Sequence, residues 1–378
     1  MKKHLYLLML LTVLPGTFPA YSQALDSKFA ERAPYDAYRS FSPPDTIRLT
    51  FIGDVMGHMP QITHGLKSGA PADDPASYDF SSWFRYVKCY FDRADISVAN
   101  MEFTCGVTPY TGYPTFSSPA SIAWETAVSG VDVFLTANNH ICDKGLKGLD
   151  STFAIYRRMD IPFAGSYSDP ADELARNPLI LAVTGVKFAF INLTYGLNGF
   201  TCPKPYTVNQ LDTTLIRKLV GRARASEADF VIALPHWGEE YQLDYNKVQK
   251  KWADFMYEAG VDMIVGSHPH VVQKADYSDG RLTIYSLGNF ISNMSVDYSQ
   301  IGMLATVTIV VGKRRNIEML EPEIEYLWCC KWGTFEDNYT VIPIRRWENE
   351  PDAFRNRAQY DKMMREWRAL KAKFKLDD

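Results

Sequence analysis

Residues Val261 to Val272 read V-D-M-I-V-G-S-H-P-H-V-V. The apolar run Met263 to Val265 is too short for a helix, and Gly266-Ser267 followed by histidines on either side of Pro269 signals a loop. The stretch therefore reads as a buried strand that delivers a rigid loop at its C-terminal end. Proline fixes its own φ and pushes the preceding residue away from the helical region, so His268 is expected to be extended. In extended backbone, residues two apart project to the same side, which would aim His268 and His270 at one object. Neutral imidazole is the commonest metal ligand, so a metal ion is the natural candidate. Two surface-loop histidines are the plain alternative.

Four other stretches repeat the arrangement. Ile47 to Ile52 reads as a strand running into Asp54 and His58, and Ile96 to Ala99 as one ending in Asn100 and Glu102. Val131 to Thr136 leads to Asn139, His140 and Asp143, and Phe230 to Leu234 leads to His236. Each alone has an ordinary explanation: a turn aspartate, a helix cap, a packed histidine. Together with the opening stretch they hold five of the seven histidines of the chain. Helical patterns between the strands argue for an α/β architecture, and such sheets place their sites outside the carboxyl ends of strands. Leu179 to Val183 and Val186 to Leu193, around Thr184-Gly185, read as a hairpin.

The whole chain sets the class. It has 378 residues, 46% hydrophobic and 22% charged, as expected of a globular protein with a large core. A formal net charge of -4 gives no general electrostatic case for nucleic acid. Lys2, Lys3 and His4 precede the apolar run Leu5 to Leu14, and Ala20 and Ser22 form a small-residue cleavage pattern before Gln23. Residues 1–22 thus read as a secretory signal, an uncleaved anchor being the alternative. The expected location is beyond the inner membrane, periplasmic or associated with the cell envelope. Residues 23–45 read as an exposed leader, 46–312 as the main domain, and 313–378 as a C-terminal extension of short strands and a polar, solvated helix. The six cysteines match no zinc or redox spacing and read as structural.

Carboxylate, amide oxygen and imidazole without thiolate suit Mn, Fe(II), Zn or Mg. About six ligands exceed the needs of one ion with an open position. Two ions about 3.5–4 Å apart would use them all, activating a bridging water and clamping an oxyanion as phosphoester cleavage requires. His140 could then protonate the leaving oxygen.

Six blocks carry a resemblance: G-D-V-M-G-H (Gly53 to His58), N-M-E (Asn100 to Glu102), A-N-N-H-x-x-D (Ala137 to Asp143), H-W-G-E-E-Y (His236 to Tyr241), G-S-H-P-H-V-V-Q (Gly266 to Gln273) and Y-S-L-G-N-F (Tyr285 to Phe290). In this order they resemble the CapA family of poly-gamma-glutamate capsule biosynthesis proteins, related to the calcineurin-like metallophosphoesterases. The resemblance spans about residues 47–311. It implies a metallo-dependent phosphatase-like four-layer α/β/β/α sandwich, with the C-terminal part as a small β/helix extension. It also implies metal ligation by Asp54, Glu102 as the bridging carboxylate, Asn139, His236, His268 and His270, with His58 as a further candidate. His140, beside Asp143, takes the place of a leaving-group acid or phosphate contact. Three departures stand out: His58 lies four residues after Asp54, where phosphoesterases have D-x-H. Glutamate replaces aspartate at 102, and Asp143 stands further from His140 than the family's acidic residue does.

The implied function is an exported, metal-dependent hydrolase or transferase in capsule or envelope polymer metabolism. Its partners would be an anionic polymer or phosphoester, and membrane proteins of capsule synthesis. A general phosphoesterase and a non-catalytic, metal-stabilised scaffold are the alternatives. The polar, tyrosine-bearing loops 104–119 and 196–210 are candidates for a substrate groove.

Overall fold

The computed structural model describes residues 45–312 and 316–376. The signal expected at 1–22 and almost all of the leader lie outside them.

Four parallel strands open the first sheet: β1 (Asp45–Val55), β2 (Ile96–Met101), β3 (Val133–Leu135) and β4 (Phe163–Ala164). The chain then builds a second sheet. A hairpin of β5 (Leu179–Val183) and β6 (Val186–Thr194) turns through Thr184 and Gly185, whose φ values of 47° and 85° suit a tight two-residue turn. Next come β7 (Phe230–His236), β8 (Met263–Val265), β9 (Val272–Ser278) and β10 (Arg281–Leu287). In space this sheet runs β9-β10-β8-β7-β6-β5, with β6, β7, β8 and β10 parallel.

The chain returns to the first sheet with β11 (Asn289–Ile291) beside the end of β1, and β12 (Ile301–Val311) antiparallel along it. Beyond residue 312 the chain does not leave this body. β13 (Glu323–Cys330) pairs with β12 and β14 (Thr340–Pro343) pairs with β13, completing the order β14-β13-β12-β1-β2-β3-β4.

Period-two alternation explains why the sheets stack. Ile47, Leu49, Phe51, Val98, Val133 and Leu135 share one core with Phe188, Phe190, Ile232, Leu234, Met263 and Ile284. The intervening residues face helices. Ala189, Ile191, Val231 and Ala233 lie under α3 (Thr213–Ala225) and α4 (Lys247–Ala259), through Ile216, Leu219, Ala253 and Met256. On the other side, Phe134 meets Tyr156 of α2 (Gly145–Arg158), with ring centroids 5.1 Å apart. The four-layer sandwich expected from the sequence is therefore the observed fold.

The last helix, α5 (Arg357–Phe374), departs from expectation. It is not solvated all round: Tyr360, Met363, Met364, Trp367 and Leu370 are buried on one stripe. Trp367 lies against Tyr326 of β13, ring centroids 4.9 Å apart, inside the core between the sheets. Polar average composition hid this stripe, because burial follows spacing rather than the mean. No helix among the described residues is long and apolar enough to cross a membrane.

Candidate metal centre

Parallel strands bring their carboxyl ends to one edge of each sheet, and the two edges adjoin. Asp54 lies at the end of β1, and Glu102 follows β2. Asn139 and His140 follow β3, His236 closes β7, and His268 and His270 follow β8. All are at most 5% exposed. Two glycines permit the close approach. A Cβ on Gly53 would stand 1.8 Å from the Gly288 carbonyl oxygen, which accepts the Asp54 N–H at 3.1 Å. One on Gly266 would stand 2.3 Å from the Tyr285 carbonyl oxygen.

The His-Pro-His loop converges by a different route from the one expected. His268 has φ 99° and His270 φ 58°, so neither is an extended residue. Such conformations cost an L-residue about 1–3 kcal/mol each and persist only where surroundings impose them. Here the His268 N–H donates to Asp54 Oδ2 at 3.3 Å, and the Pro269 carbonyl accepts from Tyr241 N–H at 2.8 Å. The imidazoles are turned onto one cluster by a tight reversal, not by strand alternation.

Three sets of side chains each offer ligand atoms within 4.8 Å of one another: Asp54, Glu102 and His270; Glu102, His236 and His268; Glu240, His268 and His270. Glu102 is fully buried, yet neither of its carboxylate oxygens accepts a hydrogen bond among the described residues. It faces His236 Nε2 at 3.5 Å and His270 Nε2 at 3.7 Å. His268 Nδ1 is likewise buried without a partner. A buried carboxylate with no donor is expensive unless a cation compensates it, so these orphaned atoms fit a metal centre. Glu102 belongs to both buried sets and is placed to bridge two positions.

Neighbouring side chains orient the ligands. Asn100 donates to Asp54 Oδ1 at 2.7 Å, and Asn138 Nδ2 donates to Asn100 Oδ1 at 3.2 Å. His270 Nδ1 lies 2.9 Å from Asn289 Oδ1, which leaves Nε2 toward Glu102. His236 Nδ1 lies 3.0 Å from Ser267 Oγ, and a proton held there frees Nε2 for a metal. His236 Nε2 otherwise contacts Asn139 Oδ1 at 2.8 Å. Asn139 thus stands in the cluster through its amide oxygen.

The charges are strongly coupled. Burial alone would lower His270, but the Glu102 and Asp54 carboxylates raise it to about 9. Burial would raise Asp54, but the hydrogen bond and charge of His270 hold it below its usual range. His268 is driven well down by burial and by the charges of His236 and His270. A neutral His268 with a free lone pair is the form a metal requires.

The description of the bacterial capsule synthesis protein family PGA_cap matches residues 48–294, well over half of the chain and all these ligand loops. The chain belongs to the PGA_cap family. It is 27% identical over 263 residues to the capsule biosynthesis protein CapA of Bacillus anthracis, covering 65% of this chain and 60% of that protein. To the PGA biosynthesis protein CapA of Bacillus subtilis (strain 168) it is 29% identical over 261 residues, covering 65% and 63%. The chain therefore matches about three-fifths of the length of these relatives. Among solved structures, it is similar to NAD nucleotidase of Haemophilus influenzae, with TM-score 0.46, 12% identity, and 87% and 68% of the two chains covered.

In this PGA_cap protein, His140 and Asp143 form a pair beside the cluster. His140 Nδ1 lies 2.7 Å from Asp143 Oδ2, which also accepts the Phe116 N–H at 2.7 Å. Phe116, from the 104–119 loop, meets the His140 ring edge-on at 4.7 Å. Just before the other loop, Tyr195 lies 4.5 Å from the His268 ring, and within it Asn198 accepts from Asn139 Nδ2 at 3.2 Å. All six cysteines are free thiols, and Cys142 and Cys202 share a hydrogen bond that raises Cys142 and lowers Cys202.

His58 stands apart from the three ligand sets. Its Nδ1 lies 3.2 Å from Gln61 Oε1 at the start of the helix Met59–Gly65 and 3.4 Å from the Asn293 N–H nitrogen. Burial pulls its pKa from 6.5 to about 4. Between those values the unfolded chain binds a proton that the folded chain does not, so stability falls as pH drops through that window. His58→Asn is expected to remove about 2 kcal/mol of the loss between pH 7 and pH 4.5. Urea titrations of chelated protein at both pH values check this, and an unchanged pH dependence would refute it.

The sequence reading missed Glu240, although it lies within the H-W-G-E-E-Y block. An exposed glutamate in a loop carries no periodic signal of its own. Only its position relative to His268 and His270 could have singled it out.

Proposed function

We propose that this protein is an exported, metal-dependent hydrolase or transferase acting on an anionic envelope polymer or its phosphoester precursors during capsule synthesis. The observation that carries the metal-dependent part is the fully buried Glu102, orphaned at both oxygens between His236 and His270. Asp54, Glu102, Asn139, His236, His268 and His270 would hold divalent ions of the Mn, Fe, Zn or Mg type, two in number. Bound there, such ions lower the pKa of water and polarise a phosphoryl or carbonyl oxygen.

The remaining work belongs to the chain itself. Asp143 fixes the His140 ring through Nδ1, which leaves Nε2 to give or take a proton. Asn100 orients the Asp54 carboxylate, and Ser267 and Asn289 hold His236 and His270 in the tautomers that ligation needs. The two Bacillus relatives, a capsule biosynthesis protein and a PGA biosynthesis protein, support the polymer assignment, and poly-gamma-glutamate is its first candidate. Membrane proteins of the capsule machinery are the expected partners, and the periplasm or cell envelope the expected location.

Elemental analysis of purified protein is expected to find two ions per chain. With Mn²⁺ present, hydrolysis of a chromogenic phosphoester should fall below about 1% of wild type in His268→Ala. Protein without bound metal, whose stability ignores chelator, would overturn the proposal.

A further inference from the structure

The three ligand sets differ in the side from which they are closed. The two buried sets meet at Glu102, which reaches both halves of the centre from within the protein. The third set takes His270 from one half and His268 from the other, and joins them to Glu240, an exposed residue. Glu240 therefore reaches both halves as an exposed residue, whereas Glu102 reaches them as a fully buried one. Glu240 is the exposed member of the three sets, so an anionic group arriving from solvent meets the centre on the side where Glu240 stands.

Glu240 is held there by its loop. Trp237 is buried and donates through Nε1 to the Tyr285 carbonyl at 2.9 Å. Gly238 has φ 98° and lies against Gln249, where a Cβ would stand 2.8 Å from the side-chain amide. Beyond Glu240, Tyr241 adopts φ 63° so that its N–H reaches the Pro269 carbonyl at 2.8 Å. Gln273 Nε2 then donates to the Gln242 carbonyl at 2.8 Å. Glu240 thus lies between two anchored points, and the strained residue beside it is tied to the proline between the two histidine ligands.

We propose that Glu240 is an exchangeable carboxylate of the metal centre, closing its solvent face at rest and yielding to the anionic group of the incoming substrate. This rests on the metal-centre reading above. Burial separates the two glutamates in their roles. Glu102 cannot leave without stranding a buried charge, whereas Glu240 regains water when it lets go and so leaves at little cost. An anionic ligand and Glu240 then compete for the same positions, and removing the competitor should favour the ligand even as it weakens the ions.

Titration calorimetry of metal-free protein with Mn²⁺ and with Zn²⁺, followed by inorganic phosphate on the loaded protein, tests this. Compared with wild type, Glu240→Gln should weaken the tighter-binding ion about tenfold, yet bind phosphate several-fold more tightly. Glu239→Gln, an equal charge change one residue away, should alter neither. If Glu240→Gln behaves like Glu239→Gln in both titrations, Glu240 is a surface residue and the proposal fails. If the ion weakens but phosphate does not tighten, Glu240 is a permanent ligand and the exchange is refuted. Wild-type protein that binds neither ion would instead overturn the metal centre itself, and this inference with it.

Discussion

Glu102→Gln is expected to stabilise the metal-free protein while abolishing its stabilisation by metal. In the metal-free state Asp54 and Glu102 share the single raised imidazole, His270, and Glu102 still lacks any hydrogen-bond donor among the described residues. Glutamine has the same shape without the charge, and it leaves His270 paired with Asp54 Oδ2 at 3.3 Å. Exchanging the buried charge that accepts no hydrogen bond for a neutral amide lowers its desolvation penalty, by about 1–3 kcal/mol. In wild type, metal at a thousandfold excess over its Kd should add about 4 kcal/mol, of the order of 10 °C in Tm. The variant should show none of that gain. Thermal melts of both proteins, with EDTA and with Mn²⁺, give all four values. A Glu102→Gln protein less stable than wild type in EDTA would show that Glu102 is a structural ion-pair partner and not a ligand awaiting a cation.

Asp143→Asn is expected to lower kcat by about 10²–10⁴ without changing metal content. Asp143 Oδ2 receives both the His140 ring and the Phe116 N–H at 2.7 Å. An asparagine that sets its carbonyl oxygen there keeps both bonds but leaves its NH₂ in the buried, unpartnered Oδ1 position; turned the other way, it reverses the ring tautomer and loses the Phe116 bond as well. Either way the His140 ring loses the carboxylate that stabilises its protonated form, and with it part of its capacity to hold and deliver a proton. The loss should depend on the leaving group: large for an alkyl phosphoester, whose alkoxide needs a proton, and small for a nitrophenyl ester, whose phenolate does not. His140→Asn should show the same pattern. An equal loss for both esters would make His140 a phosphate contact and remove it as the proton donor.

Local order in the chain was enough to determine most of this architecture. Apolar runs of strand length, each ending in a polar loop, can be stacked in parallel only with their carboxyl ends on a common edge. That is why Asp54, Glu102, Asn139, His236, His268 and His270 could be named together from sequence and are found in one cluster. The β5–β6 hairpin was legible as well, because Gly185 accepts the positive φ that its two-residue turn requires.

What the sequence could not decide depends on contacts between distant segments. The left-handed backbone of His268 and His270 is imposed by Asp54 and Tyr241, and local preference around Pro269 argues against it. The polar final helix is buried because β13 offers Tyr326 to its apolar stripe. His58 is drawn to Gln61 and Asn293, away from the ligand sets, although Asp54, four residues earlier, belongs to one of them. Glu240 differs from Glu239 only in where an anchored loop sets it down. Periodicity and chain order determined which residues reach the shared edge; the long-range hydrogen bonds and close backbone approaches decided which of them enter the candidate ligand sets.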